Sequence, residues 1–390
     1  MTSVKKYRVE SIDLLKGLVM VIMALDHVRD YFHYSANFYD PADPTQTTLP
    51  IFFTRWITHF CAPAFSFLAG LSAYMVGKKK SRKELSRFLV QRGLWLVFIE
   101  LTIVTFGWYF DIHFRTISLL VIWSLGVSMI TLAALIYLPK NLLLIFCCLL
   151  IFGHNLLDKV QFNNNLLWEI LHQQNFYKLS DSTQLFVGYP IIPWIAVMAL
   201  GYYFGQFYNQ TYTASNRKRI FNIVGFSALA LFVILRWTNS YGNPVPRQQY
   251  DSFSKDVVSF LNPAKYPPSL MFLLMTLGTT LVFLANSEKL RGRLVNFFST
   301  FGRVPFFYYI LHIYLIHVLA MIFAELSGFG WKLFILPTWI GFVPAMKGYG
   351  FNLVTVYFVW IGIILALYPL CRKFDHYKQN NKHKWWLSYL

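Results

Sequence analysis

Long apolar stretches separated by short polar segments dominate the chain. Each stretch has about 20 residues, the length that an α-helix needs to cross the hydrocarbon core of a bilayer. The pattern therefore predicts an all-α, polytopic membrane protein, a bundle of about ten transmembrane helices that forms a single domain over residues 1–390. The ten predicted spans are 12–34, 53–77, 93–111, 117–138, 141–160, 189–208, 219–237, 268–287, 304–325 and 350–371.

The basic residues favour one orientation of this bundle. With the N-terminus in the cytoplasm, most Lys and Arg residues fall in cytoplasmic segments, including Lys5, Lys6, Arg8 and the run 78–92. Cytoplasmic loops of membrane proteins carry such an excess, so both termini are predicted to be cytoplasmic. The longer loops then face the outside. They are 35–52, 161–188, 238–267 and 326–349.

Composition agrees with a membrane protein and excludes other classes. Hydrophobic residues make up 56% of the chain and charged residues 13%, whereas soluble domains carry about 25% charged residues. The Lys and Arg residues of the predicted cytoplasmic loops account for the net charge of +18. We therefore expect membrane lipids and no nucleic acid as partners. The four cysteines lie in apolar runs without the spacing of a zinc site or a disulfide framework, and no metal is expected.

The first apolar stretch contains ionisable residues where a spanning helix should have none. Asp26, His27, Arg29 and Asp30 follow a long apolar run. Such groups cost about 2.5–3.5 kcal/mol each at membrane depth, so they usually mark a functional site. A histidine titrates near neutral pH and can act as a general base. Asp26 points about 100° away from His27 on a helix, and we expect it to pair with Arg29 or Arg55.

Two further polar residues lie nearer the start of the same helix. Asp13 and Lys16 are three residues apart and share a face, so they can pair; Lys16 can instead contact a phosphate or extend to the membrane surface. Lys16 and His27 are eleven residues apart, which places them on one face about 16 Å apart. This spacing suits an extended molecule with an anionic end at Lys16 and a reactive end at His27.

Two other predicted spans carry histidines. His59 lies one turn after Arg55 on the second span and can face His27. His312 lies one turn after Tyr308 on the ninth span, near its middle, and can contact a substrate.

Polar residues on the third and eighth spans are also candidates. Glu100 lies within the third span and must find a buried partner, and both a structural role and a place in the site stay open. Lys265 and Tyr266 precede the eighth span on the outer side, where they can bind an anionic substrate group.

Several segments together carry a family resemblance. They are RVESIDLLKGLVMVIMALDH, FTRWITHFCAPAFSFLAG, YPIIPWIAVMALGYYFGQ, KYPPSLMFLLMTLG and FGRVPFFYYILHIYLIH. The chain resembles a bacterial domain-of-unknown-function family that is grouped with the catalytic domain of heparan-α-glucosaminide N-acetyltransferase. That family is similar to membrane acyltransferases of the acyltransferase-3 type, which have an arginine and a histidine eleven residues apart on the first helix.

The resemblance implies transfer of an acetyl or other acyl group from cytoplasmic acyl-CoA to a hydroxyl or amine of an extracytoplasmic sugar or glycan. His27 takes the place of the first-helix histidine, and Lys16 that of the arginine, which keeps a point charge. His33 approximates the reactive histidine of the lysosomal enzyme. The catalytic candidates are His27, Asp26, His59 and His312; the donor-binding candidates are Asp13, Lys16, Arg55 and Tyr308; the acceptor-binding candidates are His33, Glu100, Lys265 and Tyr266.

The resemblance also implies a location, the bacterial inner membrane. The sequence leaves the oligomeric state open, a homodimer included. One alternative function stays open too: a small-molecule or lipid transporter or flippase that uses the same intramembrane charged residues.

Overall fold

The computed structural model describes residues 10–162 and 164–388, so Lys5, Lys6 and Arg8, which contribute to the predicted orientation, lie outside the described residues. The described part is mostly helical. Its helices are α1 Glu10–Phe32, α2 Leu49–Trp56, α3 Cys61–Gly77, α4 Arg82–Ile99, α5 Thr105–Tyr109, α6 Val121–Leu135, α7 Lys140–Gly153, α8 Leu166–His172, α9 Ile192–Phe204, α10 Ala214–Thr238, α11 Phe253–Leu261, α12 Leu270–Ser287, α13 Arg293–Arg303, α14 Pro305–Leu326 and α15 Leu353–Asn380.

Within the described residues, seven helical segments are long and apolar enough to cross a membrane. The chain is therefore a membrane protein with seven candidate spans. A count of ten requires that α1, α6 and α9 also cross; α6 and α9 have 15 and 13 residues, and α1 carries several charged side chains. The seven are Leu49–Gly77, Arg82–Tyr109, Lys140–Leu157, Ala214–Thr238, Leu270–Ser287, Pro305–Leu326 and Leu353–Asn380.

Several helices begin at a side chain that accepts a hydrogen bond from the first turn. At α4, Ser81 accepts from the backbone N–H of Glu84 while the Glu84 carboxylate accepts from Ser81, a reciprocal capping box. These contacts satisfy backbone donors that have no partner within the helix. Single capping side chains begin α10, α12 and α15; they are Thr213, Ser269 and Asn352.

Helix α1 is surrounded by other helices. It packs against α3, α12, α13, α14 and α15. Against α13, the two backbones are in direct contact. A Cβ atom on Gly302 of α13 would lie 1.9 Å from the carbonyl oxygen of Asp13, and one on Gly17 would lie 1.7 Å from that of Phe298. Glycine is required at both positions because any side chain would meet backbone atoms, as at small-residue helix interfaces in membranes.

The Gly302→Ala variant should therefore lower the thermal stability of the detergent-solubilised protein. Overpacking costs about 1–3 kcal/mol, and here the obstacle is backbone. The matched control is Gly362→Ala within α15, where an added Cβ meets no atom within 4 Å. We expect the control to unfold at or above the wild-type temperature; equal loss of stability in both variants would contradict the packing argument.

A small sheet interrupts the helical bundle. Strands β1 Thr116–Leu119, β2 Asn175–Lys178 and β3 Gln184–Val187 are ordered β1-β3-β2, with β1 parallel and β2 antiparallel to β3. The predicted span 117–138 is therefore incorrect at its start, because its first residues form β1 before α6 begins. Strands of four residues are too short to show a clear alternating pattern in the sequence.

Ion pairs connect the segments that were predicted to be cytoplasmic. Arg291 contacts Glu10 at 3.0 Å. We call this side of the bundle the basic end, and the opposite side, with the four long loops, the loop end. Two further pairs at the basic end are Arg217–Glu288 at 2.5 Å and Arg303–Asp375 at 2.6 Å.

Candidate active site

One cavity extends along α1 from Lys16 to His27. This Lys16 cavity has a volume of about 250 Å³, and most of its walls are apolar side chains of α1, α3, α4 and α6. Lys16 Nζ donates to Ser72 Oγ at 2.6 Å. Arg92, from the basic run 78–92, lines the same cavity, as does Lys265. An apolar channel with a few cationic groups suits an extended molecule that carries negative charge at one end.

A second cavity opens among the loops of the loop end. This Trp339 cavity has a volume of about 490 Å³. Each of the four predicted outer loops contributes to its wall, through Asp40, Gln174, Tyr266 and Trp339. Long loops on a rigid bundle are a usual location for binding residues.

The two cavities meet at His27. Five residues line both of them: Asp26, His27, Val121, Tyr189 and Tyr309. Molecules that enter from the two sides can thus both reach the His27 imidazole. A reactive group at this point can act on two substrates that never share a cavity.

A chain of hydrogen bonds orients the His27 ring. His312 Nδ1 lies 3.0 Å from the carbonyl oxygen of Tyr308, and His312 Nε2 lies 2.9 Å from His27 Nδ1. A carbonyl oxygen only accepts, so Nδ1 of His312 carries the proton and Nε2 of a neutral ring has the lone pair. His27 Nδ1 then donates to it. The lone pair of neutral His27 is therefore on Nε2, as a general base requires.

Aromatic rings fix the position of both histidines. Trp108 packs edge-on against His27 with ring centroids 4.7 Å apart, and the Tyr308 ring stacks on His312 at 5.0 Å. Sequence reasoning did not select Trp108 or Tyr309 as site residues. Both are aromatic residues within apolar stretches, and their pattern does not distinguish them from ordinary core residues.

Asp26 lies within a buried cluster of cationic side chains. Arg55 Nη1 donates to Asp26 Oδ2, Arg29 Nη2 lies 3.1 Å from Asp26 Oδ1, and Lys265 Nζ lies 3.8 Å from Asp26 Oδ2. Arg29 Nη2 also donates to Asp30 at 2.5 Å. The sequence left Arg29 and Arg55 open as partners of Asp26, and the structure shows that both contact it.

The electrostatic field at this cluster is positive. Tyr266, which precedes α12, lines the Trp339 cavity with its ring 5.5 Å from that of Tyr189. Burial alone would raise the pKa of the Tyr266 phenol, but the charges of Lys265 and Arg55 outweigh burial and hold the pKa below its ordinary value. Groups that carry negative charge are thus favoured beside Lys265 and Arg55.

A comparison with protein families gives a match over residues 8–236 to the family described as heparan-alpha-glucosaminide N-acetyltransferase, catalytic. The chain belongs to this family. The match covers more than half of the chain and confirms the resemblance drawn from the sequence. A comparison with curated proteins finds no match.

Family membership and the apolar helices together make the chain a membrane acetyltransferase. The transporter alternative has no support from the comparison. His27, Asp26 and Lys16 lie within the matched segment of this acetyltransferase. Lys265 and His312 follow it, and the structure alone brings them to the site.

The structure separates the donor-binding candidates of this acetyltransferase. Only Lys16 lines the Lys16 cavity, whereas Arg55 lines the Trp339 cavity at the far side of His27. Asp13 is buried and lines neither cavity, and α13 packs against its backbone. Tyr308 also lines neither, because its ring and carbonyl group support His312.

Two acceptor-binding candidates have structural partners. Glu100 is fully buried. Its Oε2 accepts from the backbone N–H of Trp123 at 3.0 Å and so caps the start of α6, where no side chain of α6 itself caps the helix. His33 Nδ1 lies 2.7 Å from Ser35 Oγ and caps the turn after α1. Neither Glu100 nor His33 lines a cavity at the site.

His59 lies behind the wall of the Lys16 cavity. Its neighbours Thr58 and Cys61 line that cavity, whereas the His59 ring packs against Phe272 at 5.5 Å.

In residues 10–162 and 164–388, no three His, Cys, Asp or Glu side chains gather as a metal-binding group.

Proposed function

We propose that this membrane acetyltransferase moves an acetyl group from acetyl-CoA in the Lys16 cavity to an amine or hydroxyl of a sugar in the Trp339 cavity. The observation that carries this proposal is the position of His27 in the wall common to both cavities. The name of the family, heparan-alpha-glucosaminide N-acetyltransferase, supports a sugar amine as acceptor.

The proposal includes an orientation. The basic end faces the cytoplasm of a bacterium, where acetyl-CoA is present, and the loop end faces the outside of the inner membrane, where it meets the glycan. Both termini are then cytoplasmic and α1, α6 and α9 cross the membrane with the seven longer spans. The positive-inside distribution of Lys and Arg supports this arrangement.

The residues of the Lys16 cavity fit acetyl-CoA as a substrate. Lys16 and Arg92 supply cationic groups for its phosphates, and the apolar wall suits its pantetheine arm. Lys16 and His27 lie about 16 Å apart along α1. The thioester at the end of the arm is thereby brought to the imidazole.

Proton transfer through His27 completes the reaction. His27 Nε2 takes the proton from the acceptor N–H or O–H as the lone pair of the acceptor nitrogen or oxygen bonds to the thioester carbonyl carbon, and the carbonyl π electrons move to oxygen. When the carbonyl re-forms, the C–S bond breaks. The CoA thiolate leaves and receives the proton from His27.

His312 acts as a positioning residue in this scheme. It touches neither cavity, but its Nε2 accepts from His27 Nδ1, and the Tyr308 carbonyl fixes the tautomer of His312. This arrangement has the logic of a catalytic triad in which the neutral His312 ring, held by the Tyr308 carbonyl, replaces the carboxylate that orients the base. The orienting ring is neutral, so no carboxylate has to contact His27 in the buried site.

Acetyl-CoA should raise the thermal unfolding temperature of the detergent-solubilised wild-type protein, because a ligand that binds only the folded state stabilises it. In the Lys16→Met variant we expect the dissociation constant for acetyl-CoA to rise about tenfold, or about 1.4 kcal/mol. The control is Lys347→Met in an exposed loop. Wild-type affinity in Lys16→Met would remove Lys16 from the donor site.

A further inference from the structure

Lys265 differs from the other cations of the Asp26 cluster. Its side chain is only 10% exposed, yet its ammonium forms no hydrogen bond with any residue that the structure describes. The ammonium lies 3.8 Å from Asp26 Oδ2 and 5.1 Å from the centre of the Tyr266 ring. Lys265 also lines the Lys16 cavity together with His27. A mostly buried ammonium with unused donors thus belongs to the wall of the cavity that also contains His27.

The charges of the cluster do not balance. Arg29, Arg55 and Lys265 are three cations, and Asp26 and Asp30 are two carboxylates, all at most 19% exposed. The Trp339 cavity has one more carboxylate, Asp40, which is exposed at its rim and accepts from the backbone N–H of Ala42 at 2.9 Å. The buried cluster therefore has one positive charge in excess.

We propose that Lys265 is a catalytic residue that stabilises the oxyanion of the tetrahedral intermediate. This inference rests on the proposed function. The acetyl thioester is neutral, and attack by the acceptor transfers an electron pair to the carbonyl oxygen, so the intermediate gains one negative charge at that oxygen. The Lys265 ammonium donates a hydrogen bond to this oxyanion. The negative charge of the oxyanion then balances the single excess positive charge of the cluster. A fixed cation in a water-poor site acts most strongly where charge develops in the transition state.

A purely structural Lys265 would have a different signature. If it served as a required counter-ion of Asp26, its removal would destabilise the fold. Arg29 and Arg55 already contact Asp26 more closely than Lys265 does. Removal of the excess cation should therefore leave the unfolding temperature nearly unchanged.

The test uses the detergent-solubilised full chain, with acetyl-CoA as donor and glucosamine as the acceptor probe. We expect Lys265→Met to lower kcat by about 10²–10³-fold, with the KM for acetyl-CoA and the unfolding temperature close to wild type. Lys265→Arg should restore part of kcat, because it keeps the charge with a different geometry. The matched control, Lys332→Met at an exposed position, should keep wild-type kcat.

Each contrary result has a separate meaning. If Lys265→Met keeps wild-type kcat, or if it unfolds or raises only KM, the oxyanion role is overturned and the acetyltransferase proposal stands. If the wild-type protein neither transfers acetyl to glucosamine nor releases CoA from acetyl-CoA, the proposed function fails, and the inference on Lys265 fails with it.

Discussion

Replacement of His27 by alanine is expected to lower the rate of acetyl transfer by about 10²–10⁴-fold. The variant lacks the His27 ring, which lines both cavities and is hydrogen-bonded to His312, so the general base of the proposed reaction is missing. The measurement is release of CoA thiol from acetyl-CoA in the presence of glucosamine, with mass spectrometry of the acetylated product.

Two comparisons make this result specific. His113→Ala replaces an exposed histidine at the loop end and should retain wild-type transfer. His27→Ala should still unfold at a higher temperature when acetyl-CoA is added, since Lys16 and the apolar wall remain. Undiminished transfer in His27→Ala would falsify the assignment of the general base.

The long helices were predictable because the bilayer requires long apolar segments. Helix α13 was not predictable from the sequence, because it is a short segment from Arg293 to Arg303 whose apolar side chains lie on one face. The helix nevertheless packs against α1 through Gly302. Hydropathy detects a span by its mean value, and a short helix with apolar side chains on only one face has no such signal.

The site was predictable only in part. The local spacing of Lys16 and His27 follows from helix geometry, and the structure places both in one cavity. The contact between His27 and His312 joins residues 285 positions apart, so only tertiary packing brings them together. Glu100 shows the opposite problem, because a buried carboxylate that caps a helix and one that binds substrate have the same appearance in a sequence.

Helix α1 thus connects the Lys16 cavity with the Trp339 cavity, the proposed donor and acceptor sides of the site. Lys16 and His27 share one face of the helix, towards the Lys16 cavity, while Asp26 and Arg29 extend towards the loops. Asp26, which makes α1 atypical of a membrane span, pairs with Arg29 of α1 itself, with Arg55 of α2 and with Lys265 before α12. Ion pairing offsets the cost of these buried charges, and we expect it to help hold the part of α1 that carries His27.

Asp26→Ala is accordingly expected to destabilise the protein severely. The variant leaves Arg55 and Lys265 buried without a carboxylate, and removal of one partner from a buried ion pair costs about 3–5 kcal/mol. Arg29 retains Asp30. Thermal unfolding in detergent and recovery of monodisperse protein report the loss.

A double variant tests whether the cost comes from uncompensated charge. Asp26→Ala combined with Arg55→Met should be more stable than Asp26→Ala alone, because it removes one of the unpaired cations. Asp181→Ala breaks an exposed ion pair with Lys178 and should unfold like wild type, since exposed pairs contribute little. If Asp26→Ala also unfolds like wild type, the buried charges do not hold α1 in place, and the orientation of His27 must come from His312 and the aromatic rings alone.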